Sequence, residues 1–240
     1  MEGATMTCSE TKGVQQSNES EIVRNQIIRG EAADVLAKLP TGSVDLVVTD
    51  PPYLVNYRDR EGRSLRNDDN PVGVLPVFEP LARVLKQDAY FICFAGWSAL
   101  PQFADAWERA GLRIVSQVVF AKNYVSRAGY TEYRHECAYV LAKGNPAKPQ
   151  QRISSVQNWV YSGNKNHPTE KSVENIATLI RSFSKPDDLV CDPFSGSGST
   201  SVAAVLNQRD FIGIDIDAKH VATAKARVAG ALRFVGQKAA

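Results

Sequence analysis

Long apolar runs, paired cysteines and clustered histidines are all missing from this chain, and each absence removes a class of protein. A stretch of about 18 apolar residues, the minimum for a membrane-spanning helix, occurs nowhere. No membrane partner is therefore expected. The four cysteines, Cys8, Cys93, Cys137 and Cys191, never form a C-x-x-C pair, and three of them sit in apolar, strand-like runs. Buried free thiols in a reducing cytoplasm are the expected reading, in preference to metal ligands. The three histidines, His135, His167 and His220, are too scattered to suggest a zinc site. A strong excess of either charge is also lacking: 28 Lys and Arg face 26 Asp and Glu, for a net charge of +2. That balance neither demands nor excludes a nucleic-acid partner, because a local patch matters more than the sum.

What remains is an ordinary soluble composition, 43% hydrophobic and 22% charged over 240 residues. Residues 1–21 are polar, lack the apolar core of a signal peptide and read as a disordered lead-in. From residue 22 to 240, strand and helix patterns alternate. Strands are expected at 26–29, 44–49, 89–94, 113–120, 136–142, 189–191 and 211–214. Helices are expected at 32–39, 74–86, 98–110, 170–183, 199–207 and 218–232. Residues 143–166 show little periodicity and read as a loop region. Such alternation implies one α/β domain: an open, mostly parallel sheet of seven strands with helices on both faces. Ligands of such sheets sit at the carboxyl ends of the strands, near a switch in strand order.

Two loops follow strands directly and fall on that edge. The first is Asp50-Pro51-Pro52-Tyr53, after the apolar run 44–49. Alone it could be a strand-ending turn with a packed tyrosine. As a site it offers a carboxylate, a proline-stiffened backbone and an aromatic ring, the groups needed to handle the exocyclic amine of a flat base. The second is Asp192-Pro193-Phe194-Ser195-Gly196-Ser197-Gly198-Ser199-Thr200, which leads into a helix. Its glycines permit a tight turn and close backbone approach, and the helix start offers unpaired N–H groups. A phosphate-binding Walker loop would need Lys after the glycines, where Ser199 and Thr200 stand. A dinucleotide loop would want a third glycine where Ser201 stands. S-adenosylmethionine, which carries no phosphate, needs neither. The next strand ends in Asp215, about 20 residues beyond the loop, a spacing suited to a ribose-binding acid. Asp217 reads instead as the cap of the last helix. Asp192 is either a turn-forming acid or part of the site.

Taken together and in this order, these residues resemble the amino-group DNA methyltransferases in their permuted β-type arrangement. Asp50 to Tyr53 is similar to the catalytic motif of that family, and Asp192 to Ser199 to its cofactor motif. Asp215 corresponds to the ribose acid. His167-Pro168-Thr169-Glu170-Lys171 is similar to the segment preceding the cofactor motif, although Ser172 stands where the family usually has proline. The resemblance implies a single Rossmann-like methyltransferase domain with circularly permuted motif order. It also implies S-adenosylmethionine as cofactor, held by Asp50, His167, Thr169, Lys171, Asp192, Phe194, Ser195, Gly196, Ser197, Gly198, Ser199, Thr200 and Asp215. Glu31, after the first strand, is a candidate for the cofactor adenine or an ordinary helix cap. Asp50, Pro51, Pro52 and Tyr53 would act on a base flipped out of duplex DNA, without a metal or a covalent enzyme intermediate. Asp at the first motif position goes more often with adenine N6, and Ser with cytosine N4. The alternatives are a cytosine-N4 enzyme, an RNA or protein methyltransferase on the same scaffold, and a non-catalytic binding module.

DNA contacts are expected from two segments. Arg58, Arg60, Arg63 and Arg66 follow the catalytic loop but alternate with acids, so a solvated loop competes with a phosphate-facing one. Lys122, Tyr124, Arg127 and Arg134 lie in the second segment, within a candidate recognition region spanning 121–166. That region is too short for a separate recognition domain. Members of the family type are often dimeric, so a homodimer sharing recognition is the expected assembly.

Overall fold

The computed structural model describes residues 24–53, 71–161, 163 and 170–239. The lead-in, Arg58, Arg60, Arg63, Arg66, His167 and Thr169 lie outside the described residues. In chain order the elements begin with β1 (Gln26–Arg29), α1 (Ala32–Lys38) and β2 (Val44–Thr49). Then come α2 (Phe78–Val84), β3 (Leu85–Phe94), α3 (Leu100–Arg109) and β4 (Leu112–Ala121). A small ribbon, β5 (Arg127–Ala128) and β6 (Glu132–Tyr133), precedes β7 (His135–Lys143) and β8 (Val156–Asn158). The last third holds α4 (Val173–Phe183), β9 (Leu189–Asp192), α5 (Ser199–Leu206), β10 (Asp210–Asp215) and α6 (Ala218–Ala239).

Among the described residues, eight strands form one sheet in the order β1-β10-β9-β2-β3-β7-β4-β8. Every neighbouring pair is parallel except those of β7, which runs antiparallel to β3 and β4. The parallel strands are apolar on both sides because both faces are covered. Val44, Leu46, Val47 and Val48 of β2 are all fully buried. On one face α1, α2 and α3 pack through Leu36, Phe78, Phe103 and Trp107; the Phe78 ring meets Phe91, Phe103 and Trp107 edge-on at 5.7–6.1 Å. On the other, α4, α5 and α6 pack Ile176, Ile180, Val202 and Val221 against Phe94, Phe120 and Phe211. Cys93, Cys137 and Cys191 are buried free thiols, as the apolar runs around them imply. No helix among the described residues is long and apolar enough to cross a membrane.

Two expectations need correction. The sheet has eight strands rather than seven; β8 adds to the edge of β4 through Val119–Val156 to Ala121–Asn158, inside the region read as loop. The helix expected over 74–86 is broken: short 3-10 turns occupy 71–73 and 75–77, α2 spans only Phe78–Val84, and β3 already begins at Leu85. Pro76 has no N–H to give and favours a tight turn over a regular first helical turn. The left-handed backbone at Asp88 (φ 57°) accompanies a register shift at the start of β3.

The topology decides where chemistry can sit. β9 and β2 are neighbours although 139 positions separate Asp50 from Leu189, and they pair in register at Leu46–Val190 and Val47–Cys191. The carboxyl ends of β1, β10, β9, β2 and β3 therefore line one edge, carrying in turn Glu31, Asp215, Asp192, Asp50 and Gly96. The carboxyl ends of β4 and β8 reach the same edge, since both run parallel to β3 across β7.

Candidate active site

Adjacent strands bring the two loops together, and a side-chain bond locks them. Thr49 Oγ1, the last residue of β2, donates to Asp192 Oδ1 at 2.9 Å, and the Phe194 amide donates to the same oxygen at 3.1 Å. Asp192 is 4% exposed. Burial lifts its pKa to about 6; Thr200, the Phe194 amide and Thr49 oppose the rise, and the nearby Asp50 adds to it. Asp192 thus organises the loop from inside, as a turn-forming acid does.

The glycine loop is shaped by contacts on three sides. Gly196 and Gly198 have φ of 50° and 83°, which L side chains rarely adopt. A Cβ at Gly198 would lie 2.8 Å from that of Ala224 on α6. The Ser195 amide donates to Ile214 O at 2.8 Å and the Gly196 amide to Asp215 Oδ2 at 2.8 Å. Asp215 Oδ1 accepts from the Asp217 amide at 2.8 Å and lies 3.4 Å from His220 Nδ1; this bond to Asp215 raises the His220 pKa despite partial burial. Asp215 Oδ2, which accepts only the Gly196 amide among the described residues, keeps a second lone pair for a ligand. Asp217 caps α6, accepting from the Lys219 and His220 amides. Glu31 occupies the N-cap position of α1, yet its side chain makes no capping bond and is exposed beside the Asp215 end of the sheet.

Two residues support this loop: Arg227, which sequence reasoning passed over, and Glu170, which it quoted within the 167–171 segment without giving it a role. Arg227 on α6 donates to Ser197 O and Oγ at 2.7 and 2.8 Å, and to Ser199 Oγ at 3.3 Å. Its other nitrogen meets Glu170 Oε1 at 2.8 Å, with the Glu170 side chain 3% exposed. The only sequence signal was weak: Ala224 and Arg227 stand three apart, on one face of a helix, and nothing in the pattern says that this face meets the loop.

At the Asp50–Tyr53 loop, Lys171 Nζ bonds Asp50 Oδ2 at 2.6 Å, the lysine side chain being 10% exposed. The ammonium also lies 5.3 Å from the Tyr53 ring centroid and 5.2 Å from that of Phe94. Burial works against its charge, but Asp50 and then Glu136 outweigh burial and raise its pKa. Asp50 Oδ1 and Tyr53 Oη are both buried and, among the described residues, have no hydrogen-bond partner. The two groups are close enough that Asp50 adds to the effect of burial in pushing the Tyr53 pKa well up, but no bond of good geometry joins them. Tyr53 rests on Gly96, where an added Cβ would come within 3.3 Å of its ring.

The second segment expected to contact DNA is largely enclosed or paired within the protein. Lys122 is not a surface cation: its side chain is 5% exposed and pairs with Glu136 Oε1 at 2.5 Å. Its ammonium lies 5.1–5.9 Å from the ring centroids of Trp159, Tyr124 and Tyr133. A cation so enclosed cannot reach a phosphate from this position. Tyr124 is half-buried against Tyr161. Arg134 is exposed and paired with Glu132 at 2.8 Å, a contact that solvent makes weak. Arg127 lies in β5, opposite Tyr133.

A Rossmann-like sheet with these loops on neighbouring strand ends is the methyltransferase fold, and solved structures show it directly. The complex of M1.HpyAVI with S-adenosylmethionine superposes with a TM-score of 0.67 at 23% identity, over 85% of this chain and 98% of that one. The cytosine-N4-specific PvuII DNA methyltransferase gives 0.69 at 16% identity, over 89% and 93%. Residues 44–226 match the N6/N4 methyltransferase model, described as DNA methylase, and the chain belongs to that family. Among relatives from Escherichia coli (strain K12), it is 45% identical over 216 residues to YubD, a presumed methylase, covering 90% of this chain and 95% of that one. It is 26% identical over 234 residues to the DNA adenine methyltransferase YhdJ, covering 81% and 79%.

Proposed function

We propose that this DNA methylase uses S-adenosylmethionine to methylate adenine N6 in duplex DNA. The observation that carries the reading is the state of Asp50. One oxygen is tied to Lys171, and the other is buried, without a hydrogen-bond partner among the described residues and next to Tyr53, beside a glycine loop locked to it through Thr49 and Asp192. The edge suits S-adenosylmethionine. Carboxylates at Glu31, Asp50 and Asp215 favour a ligand bearing a sulfonium and an ammonium, and the glycine loop lacks the lysine a phosphate would want. Asp215 and the loop from Phe194 to Thr200 would hold it, with Glu31 near its base. The cofactor, when bound, supplies an electrophilic methyl group.

The residues of the chain then have defined tasks. The exocyclic nitrogen of adenine is a poor nucleophile, because its lone pair is delocalised into the ring. Asp50 Oδ1 and the Pro51 carbonyl are suited to accept its two hydrogens and favour a more tetrahedral nitrogen. The Tyr53 ring is a stacking surface for the extruded base, worth about 1–3 kcal/mol. On gaining the methyl group the nitrogen gives up one proton, and the Asp50 carboxylate is the acceptor at hand. Positioning and fixed charges supply the rate. Adenine is favoured over cytosine by aspartate at the first motif position and by the likeness to YhdJ. The segment 121–166, within which the carboxyl ends of β4 and β8 reach the same edge, is the proposed recognition region, shared between two copies in a homodimer.

Incubating the protein with unmethylated genomic DNA and S-adenosylmethionine, followed by mass spectrometry of the nucleosides, tests this reading. N6-methyladenine is the expected product, and Asp50→Ala should lower its formation by about 10²-fold or more while the protein stays folded. N4-methylcytosine as product would move the reading to cytosine. Transfer to RNA or peptide in preference to DNA, or undiminished transfer by folded Asp50→Ala, would defeat it.

A further inference from the structure

We infer that Lys171 is a positioning residue for the catalytic carboxylate, tying one oxygen of Asp50 so that the other is presented, already desolvated, to the target amine. The inference rests on the methyltransferase reading above and adds a device to it.

Three observations support it. The 2.6 Å bond uses Oδ2 only, and Oδ1 is buried and makes no bond of good geometry among the described residues, although the Tyr53 hydroxyl lies close to the Asp50 carboxylate. An unmet buried acceptor is costly, and an incoming N–H donor would relieve that cost. The lysine is also delivered from a fixed place. The residue before it, Glu170, is held by Arg227 at 2.8 Å. The residue after it, Ser172, caps α4 by accepting from the Asn175 amide at 3.1 Å. The ammonium finally lies beside the Tyr53 and Phe94 rings, each centroid within 5.3 Å. The other ionisable groups around the pair are Tyr53 on the same loop, Cys93 on β3, Glu136 on β7 and Asp192 on β9. All of these are neutral or negative. Among these groups of the described residues Lys171 is the one cation; Lys122 is engaged by Glu136 at 2.5 Å.

An acid-bearing loop without such a tether could rotate its carboxylate, spreading the amine over several poses. A misplacement of about 1 Å costs on the order of 10²-fold in rate. The test compares Lys171→Arg, Lys171→Gln and Lys171→Met in the full chain. It measures single-turnover methyl transfer to DNA, cofactor affinity by calorimetry and folding by circular dichroism. The Gln and Met variants should lose about 10²-fold in the transfer rate with cofactor affinity unchanged, and Arg, which keeps the charge, should restore most of it. Transfer at the wild-type rate in Lys171→Met or Lys171→Gln overturns the inference. So does a rate loss that follows a matching loss of cofactor affinity, which would place Lys171 in the cofactor site. If Met and Gln fail to fold, the Arg variant decides: transfer near the wild-type rate at full cofactor affinity supports the tether, and a loss of about 10²-fold or weakened cofactor binding overturns it. Absence of transfer to any DNA by the wild-type protein is a different result, and defeats the parent reading.

Discussion

Asp192 shows how a carboxylate can be structural and still cost stability. With its side chain buried, its pKa stands near 6 against an ordinary value of 3.8. Folding therefore favours the protonated form. The stability this group contributes is fully present below pH ~4 and is lost as pH rises through ~6, amounting to about 3 kcal/mol between those limits. Asn at this position keeps an oxygen for Thr49 Oγ1 and the Phe194 amide but never ionises. Asp192→Asn should accordingly melt higher than the wild type at pH 8 and about level with it at pH 4.5. Thermal melts of both proteins at the two pH values check this, and a gain that is equal at both would show that burial of the charge is not the cause. The same residue marks a limit of sequence reading. Asp192 to Thr200 announced a cofactor loop, but whether its first acid faces a ligand or the interior depends on Thr49, which is 143 positions away and reaches it only because β2 and β9 are neighbours.

Among the elements, the loop between β9 and α5 is held between two others. Gly198 has φ 83° and would put a Cβ 2.8 Å from Ala224 Cβ and 3.0 Å from its backbone Cα. Neither atom belongs to a flexible side-chain end, so α6 itself would have to move. Gly198→Ala should destabilise the fold by about 1–3 kcal/mol and weaken cofactor binding, read by denaturant unfolding and by calorimetry. A variant as stable as the wild type would show that α6 is not fixed against the loop. Elements with strong apolar periodicity, such as β2, α3, α4 and β9, were legible because their pattern is their cause: each buries that face. β8 was not. Val156, Gln157 and Asn158 show no alternation and are largely exposed; they are extended because the edge of β4 offers them a ladder, which is a property of β4. Lys122 was misread for a related reason. A lysine in a polar, aromatic segment looks solvated until Glu136, Tyr124, Tyr133 and Trp159 are brought around it by three separate elements.

For the whole molecule, the decisive join is between the β1–β10–β9 half of the sheet and the half that begins with β2. The β2–β9 pairing, the Thr49–Asp192 bond and the α4 contacts hold that join, and the proposed cofactor site lies across its edge, touching Asp50 on one side and Asp192 to Asp215 on the other. A ligand there contacts both halves and binds only when they are joined, so its binding energy adds to the stability of the entire fold rather than to one loop. With S-adenosylmethionine at about 100 times its dissociation constant, the linkage is worth about 2.7 kcal/mol. For a domain of this size that corresponds to a rise in Tm of about 5–11 °C. The rise should come as one cooperative transition moving as a unit. In Gly198→Ala it should shrink at the same cofactor concentration, because the affinity is lower. Differential scanning calorimetry with and without the cofactor makes the measurement. Two transitions, of which only the one containing β9 and β10 moved, would show that the halves unfold separately and that the site belongs to one of them.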